Sequence, residues 1–415
     1  MNRTMRSKEG IKPRKISFVY VFLVIVTCFT LLYGWVPVFH KQAYIGIIAL
    51  LFSLLIIPHY FKSRLFFITL FYALVVWLNT LWGDEYTADK TIMDGVMLGM
   101  SGSIAYYLML SDDQKVKKWI SISILIVIII QTIPSLFMYL TAQDTIRTFI
   151  DLISQDQSEY DWEQLYRLGI LAYPMTHSLP VLVPPLMMWL RTKGVSKIWK
   201  LFCFISLVCI ILLTIIYDVT TVQFLILFCI AASLLIYPNK AKQNRQRVVL
   251  VAFVILPFLL SSQIQVGVLT GLEAVSSGQM KEKVADMQYN ITHDDDTGDM
   301  GTRKQHYTSS LESFFWSPVI GTDDNSQIGG HSSFLDRMGA FGLLGFVPFL
   351  LIILLSSRFC YLKMPPSCRW YYIVCIISFT SLLLLKNMSH VEVWLMYLVV
   401  TPSLLTLRIG ENNTK

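Results

Sequence analysis

Residues 118–140 read KWISISILIVIIIQTIPSLFMYL, twenty-three positions in which Lys118 is the sole charge. Crossing a bilayer core takes about 20 consecutive apolar residues in a helix, so a run this long and this pure predicts a membrane span. Outward in both directions the pattern repeats. Eleven further runs lie at 16–35, 43–60, 65–82, 92–110, 168–190, 199–217, 219–237, 248–266, 338–357, 370–386 and 389–407. The seventh and eighth are separated by little more than Asp218, which predicts a tight helical hairpin. The whole chain agrees with its parts: of 415 residues, 54% are hydrophobic and 15% charged, with a mean hydropathy of +0.57. A soluble domain carries roughly 25% charge. The composition therefore excludes both a soluble enzyme and a disordered chain, and predicts an all-α polytopic membrane protein.

Orientation follows from the basic residues, which collect on the cytoplasmic side of short loops. With the N-terminus inside and twelve alternating spans, 24 of the 34 Lys and Arg fall on inner segments. Five are shared among the short outer loops and five lie in one long outer loop. The expected layout is a basic N-terminus over 1–15 and nine spans over 16–266, with an outer loop at 141–167. A large outer loop at 267–337, three spans over 338–407 and an inner tail at 408–415 follow. The first run follows Arg3, Arg6, Lys8, Lys12, Arg14 and Lys15 but has no small-x-small cleavage site after it, so it reads as a retained anchor. The net charge of +7 is an orientation signal and implies no nucleic-acid partner. The seven cysteines read as small apolar filler, five inside apolar runs and Cys360 and Cys368 in a short basic loop.

Loops longer than about 15 residues are usually functional or disordered, which directs attention to 267–337. Thr302-Arg303-Lys304-Gln305 fits a capping box, and Tyr307, Leu311, Phe314 and Phe315 then recur at helical spacing. Trp316-Ser317-Pro318 should end that helix, since a residue before proline avoids the helical region. Arg303 would lie in its first turn. Ser333 and Asp336 have the spacing of a second cap that opens the tenth span, with His331 just before it. The positive end of a helix opposes protonation there, so His331 is a candidate general base. His306, inside the amphipathic helix, is expected to tolerate Ala. Arg167 opens the sixth span, whose prolines (Pro174, Pro180, Pro184, Pro185) and His177 suit either a broken helix lining a cavity or a kinked packing helix. Glu392, near the last outer turn, is a candidate cavity-facing acid. The clusters His293-Asp294-Asp295-Asp296 and Asp323-Asp324 lack the spacing of a calcium loop and read as solvated turns, so no metal site is expected.

Taken in order, these motifs resemble the O-antigen ligase and polymerase superfamily. Arg167, Gly169 and Pro174 resemble its R-x-x-G-x-x-x-x-P-N motif. Arg303, Ser317-Pro318-Val319-Ile320-Gly321, Gly330-His331-Ser332-Ser333-Phe334-Leu335-Asp336 and Gly339, Gly342, Leu343 and Gly345 resemble its long-loop signature. The resemblance covers sequence motifs at about 167–190 and 300–350. It departs from the family at Met175, where Asn is usual, and at Tyr217–Thr221, which contains no Arg. What it implies is a GT-C-like, metal-independent glycosyltransferase without cofactor, at the outer face of a bacterial inner membrane. Such an enzyme moves a glycan from undecaprenyl pyrophosphate onto a sugar hydroxyl. Arg167 and Arg303 would hold the pyrophosphate, His331 would be the base, and Asp336, His177 and Glu392 would support them. The lipid-linked oligosaccharide and the bilayer are the implied partners, with a flippase and a chain-length regulator beside them. The Gly-Gly-His-Ser-Ser-x-x-Asp form looks more like the polymerases of O-antigen, capsule or exopolysaccharide than like the ligases that glycosylate lipid A-core. A twelve-span sugar transporter is the competing class. It predicts two similar halves, and no half-repeat is visible.

Overall fold

The computed structural model describes residues 62–80, 85–141, 173–217, 219–236, 298–322, 328–386 and 391–408, with isolated positions at 52, 247, 270, 273, 281, 284, 285, 288 and 289. Helices α1 (Arg64–Thr80), α2 (Glu85–Ser111) and α3 (Gln114–Thr141) come first. An interrupted segment follows: α4 (Tyr173–Ser178), a 3-10 turn (Leu179–Leu182) and α5 (Val183–Arg191). Then come α6 (Lys197–Ile216), α7 (Thr220–Leu235), α8 (Gly298–Trp316), α9 (Ser333–Lys363) and α10 (Pro366–Leu385). The last segment is α11 (Val391–Leu395), a π-turn (Met396–Val400) and α12 (Thr401–Thr406). No strand occurs among the described residues.

Among the described residues, four helical stretches are long and apolar enough to cross a bilayer: Gln114–Phe137, Lys197–Ile216, Ser333–Lys363 and Pro366–Leu385. Shorter apolar helices cover Arg64–Asn79, Thr221–Leu235 and Val393–Thr406. Their exposed faces are apolar as well. On α1 the exposed stripe is Phe67, Leu70, Phe71, Leu74, Trp77 and Leu78, opposite buried Thr69, Tyr72 and Val76. On α3 it is Ile126, Ile130, Ile133, Phe137 and Leu140. Stripes like these would be an aggregation hazard in water and are at home in hydrocarbon. The chain is an α-helical membrane protein. The expected runs at 16–35, 43–60 and 248–266 lie outside the described residues, save the isolated position 52.

Several boundaries move. The helix expected over 92–110 begins at Glu85, so Glu85, Asp89 and Lys90 are helical rather than part of an outer loop. The helix expected over 338–357 runs from Ser333 to Lys363 and takes in Cys360, while Cys368 lies in α10. Polar residues at a bilayer surface leave the apolar run without leaving the hydrogen-bonded helix. The close hairpin between α6 and α7 is present, turning through Tyr217 and Val219.

At the centre, the two interrupted segments pack on each other and on α10. Every residue from Met175 to Trp189 is buried, and so is every residue from Val393 to Leu407. The proline-rich segment is broken at the 3-10 turn, and Met188 and Trp189 at its far end line a cavity. Its breaks follow from chemistry. Pro184 and Pro185 have no N–H to give to the carbonyls four residues earlier. The Pro180 carbonyl is met instead by the Val183 N–H. The Val181 carbonyl accepts from the Cys375 thiol (3.3 Å) and lies 3.4 Å from the Thr401 hydroxyl, whose shorter bond goes to Met396 (2.8 Å). A helix that would lose hydrogen bonds in lipid is thus satisfied by side chains of its neighbours. An aromatic cluster of Phe349, Phe379, Trp394 and Tyr397 fills the space beside it, with the Phe379 and Tyr397 rings stacked at 3.8 Å.

Candidate functional site

His331 sits in the described stretch 328–332 that leads into the N-terminus of α9. Three helices pin this link. Toward α8, Gly329 lies so close that a Cβ on it would be 2.1 Å from the His306 carbonyl oxygen, so only glycine fits. That approach brings the His331 ring onto the His306 ring, centroids 4.3 Å apart and nearly edge to face. Toward α9, Ser332 is the N-cap and its hydroxyl accepts from the Leu335 N–H at 3.3 Å. Toward α10, the Ser333 N–H and hydroxyl both donate to the Lys386 carbonyl, at 3.1 and 3.2 Å.

The carboxylate of Asp336 ties these parts together. One oxygen accepts from the Ser310 hydroxyl of α8 at 2.8 Å, and the other from the Ser332 N–H at 2.9 Å. The Gly330 amide also reaches it. Ser310 in turn accepts from the Gly329 N–H at 3.0 Å. Ser310, Ser332 and Asp336 are buried, whereas His331 is half-exposed and Gly330 exposed. A satisfied buried network fixes the loop, and the imidazole is the reactive group that it leaves accessible. Asp336, which the resemblance offers as a supporting residue, thus fixes the backbone on either side of His331. The cap, however, opens one residue earlier than its spacing suggested, at Ser332 rather than Ser333.

A second backbone junction lies beside the first. Helix α9 breaks at Gly342 (φ 54°, ψ −160°), which frees the N–H groups of Leu343 and Leu344. They donate to the carbonyls of Pro318 and Val319 at 2.9 and 3.0 Å, while Thr322 donates to the Gly339 carbonyl at 2.9 Å. Gly321 (φ +84°) makes the same contact from the other side; a Cβ there would be 2.2 Å from the Ala340 oxygen. The Asn79 amide of α1 completes it, donating to the Ile320 (3.3 Å) and Ala340 (3.1 Å) carbonyls. The Ser317–Gly321 turn and the glycines of α9 are thus two halves of one docking surface.

Arg303 lies three residues before His306 in α8, about one turn or 4.5 Å along the axis. Because α8 starts at Gly298, Thr302 is not its cap and Arg303 belongs to the second turn. The first turn contains Asp299 instead, the residue type that a helix N-terminus favours. The helix ends at Trp316, as the Ser317-Pro318 pair requires. Arg167 lies outside the described residues, as do Asp294–Asp296 and Asp323-Asp324, so the expected convergence of Arg167, Arg303 and His331 on one cavity does too. His177 is fully buried in α4. Glu392 belongs to α11, which packs on α4. His306 touches His331 and so loses its standing as a neutral control position.

Three residues here escaped the sequence reading. Ser310 carries no motif. Asn79 is an isolated amide at the end of an apolar run. Arg337 was a loop charge by its position, yet it is 3% exposed. Its guanidinium donates to the Ser333 carbonyl at 3.0 Å and lies 4.3 Å over the Phe349 ring. An Asp-Arg pair opening an apolar run was the available signal, since ionisable groups at membrane depth are rarely idle. No protein-family model matches this chain, and no curated protein matches it.

Proposed function

We propose that this protein is a lipid-linked polysaccharide polymerase, a membrane glycosyltransferase that lengthens a glycan at the outer face of the bacterial inner membrane. The observation that supports it best is the His331 link: a half-exposed imidazole at a helix N-terminus whose backbone is held by the Ser310–Asp336–Ser332 network, its ring against that of His306, which lies one turn after Arg303 in α8. Two of the motif segments that suggest the family, Ser317–Gly321 and Gly339–Gly345, dock on each other beside it.

The chemistry asks for two functions on opposite sides of one carbon. The acceptor sugar hydroxyl attacks the anomeric carbon of the donor, forming the new C–O bond as the bond to the pyrophosphate oxygen breaks. His331 takes the hydroxyl proton. Charge develops on the departing undecaprenyl pyrophosphate, where a planar guanidinium can contact two phosphate oxygens at once. Arg303 has that role, with Arg167 as its partner. No step requires a metal ion.

In cells that depend on this chain for their polysaccharide, His331→Ala should stop chain growth and let lipid-linked repeat units accumulate, with protein levels unchanged. Loss of a general base costs about 10²–10⁴ in rate, enough to abolish long chains. Normal chain lengths in His331→Ala cells would remove His331 from the chemistry. Accumulation of complete, lengthened chains still on the lipid carrier would point to the ligase reaction instead.

A further inference from the structure

At the end of α9 remote from His331, beyond Lys363 and about 45 Å along the 31-residue helix, a cavity of about 630 Å³ opens between α2, α3, α5, α9, α10 and the end of α12. Part of its lining is apolar, with Met109, Met188, Trp189, Leu405 and Leu407, and part is basic, with Lys117, Lys193, Lys363 and Arg408. Asp112 is the one acid among its lining residues, and it is already engaged. Its two oxygens hold Lys117 at 2.6 Å and Arg408 at 2.8 Å. The arrangement is built rather than accidental. Asp112 takes a left-handed backbone conformation (φ 47°) to close the turn between α2 and α3. Lys117, 1% exposed, is buried beneath it. Gln114 accepts from the Arg408 N–H at 2.7 Å and donates to Asp112 at 2.8 Å, which fixes the last described residues against the cavity. Lys193 and Lys363 are exposed at the mouth, and no carboxylate among the described residues pairs with either.

Four cations around one carboxylate leave the cavity with a surplus of three positive charges beside a low-dielectric lining. Such a cleft concentrates anions. Its chemistry selects among them. The ammonium groups of Lys193 and Lys363 and the hydroxyl of Ser367 are donors only or donors first, spaced around a pocket large enough for a phosphate ester, while the apolar lining would be wasted on a small inorganic ion. We propose that this cavity is a phosphate-binding site, and that its occupant is the headgroup of an anionic phospholipid of the leaflet at that end, with Lys193 and Lys363 as its reversible contacts. Basic pockets between membrane helices bind lipid phosphates in this manner. The site is separate from the His331 chemistry and does not depend on it.

The test uses the full chain, purified in detergent and titrated with phosphatidylglycerol or phosphatidylcholine, with retained lipid counted by native mass spectrometry. The double variant Lys193→Gln/Lys363→Gln leaves the Asp112 network intact. Lys62→Gln/Lys115→Gln removes the same charge from exposed positions outside the cavity. Each basic group near a phosphate contributes about a factor of five, so the cavity variant should bind phosphatidylglycerol roughly twenty-five-fold more weakly than the unaltered chain. The control variant should bind as the unaltered chain does. Displacement of a bound lipid by inorganic phosphate alone would assign the site to a soluble phosphate ester in place of a headgroup. Equal retention of phosphatidylglycerol by the unaltered chain and the cavity variant, with no protection of either by inorganic phosphate, would overturn the proposal.

Discussion

At the scale of single residues, the site is a set of short bonds around one carboxylate. Ser310 donates to Asp336 and accepts from Gly329, so Ser310→Ala strands two partners at once. A buried polar group left unpaired costs about 1–3 kcal/mol, and Ser310→Ala should lower the thermal midpoint in detergent. The ring of His306 bears on the His331 ring. If that contact only orients the imidazole, His306→Phe should keep most chain growth and His306→Ala should lose much of it. Loss in both variants would give the His306 imidazole a chemical part. Arg303→Lys keeps the charge but not the planar fork, and should lose most of the activity. These positions were unequally legible. His331 and Asp336 stood out by spacing from a helix start, and Arg303 by its place before an amphipathic run. Ser310 and His306 could not be seen, because their importance arises where two helices meet, and no local pattern encodes that meeting.

At the scale of elements, hydropathy located the helices and misjudged their lengths. Apolar runs mark where hydrocarbon surrounds the chain, while caps and prolines mark where the hydrogen-bonded ladder stops. Helix α9 shows the difference: its apolar run suggested 338–357, and its cap at Ser332 and its C-terminus after Lys363 lie well outside that range. The break at Gly342 was also hidden. A glycine in an apolar span reads as a small contact residue, and here it is a backbone joint whose φ of 54° and ψ of −160° suit no other residue. Such conformations cost about 1–3 kcal/mol for a residue with a Cβ. A Cβ at Gly342 would also lie 2.5 Å from the Val319 carbonyl. Gly342→Ala should therefore detach the Ser317–Gly321 turn from α9, seen as a lower thermal midpoint and faster proteolysis near Pro318. Gly194→Ala is the comparison: φ is positive there too, but the space around it is open, so only the conformational cost applies.

At the scale of the whole molecule, composition alone was enough to place the chain in a membrane, and the exposed apolar stripes of α1 and α3 agree. Composition could not show how the segments gather, because helices in lipid associate by close fit and polar contacts rather than by hydrophobic contrast. The fit is visible where Gly99 meets Thr69 and Gly102 meets Ser356. The proposed orientation has a direct consequence: a reporter fused near Gln279 or Ser326 should read as external, and one near Gln243 as cytoplasmic. A cytoplasmic reading at Ser326 would put His331 on the side where lipid-linked glycans are built rather than joined.

The central claim is glycosyl transfer from a lipid pyrophosphate at His331, and the most direct measurement isolates that step. Lipid-linked glycan extracted from His331→Ala cells, mixed with the purified unaltered protein in detergent and a chelator, should yield longer glycans and one free undecaprenyl pyrophosphate for each new linkage. The His331→Ala protein in the same mixture should yield neither. Lengthened glycan from both proteins, or from neither, would contradict the account.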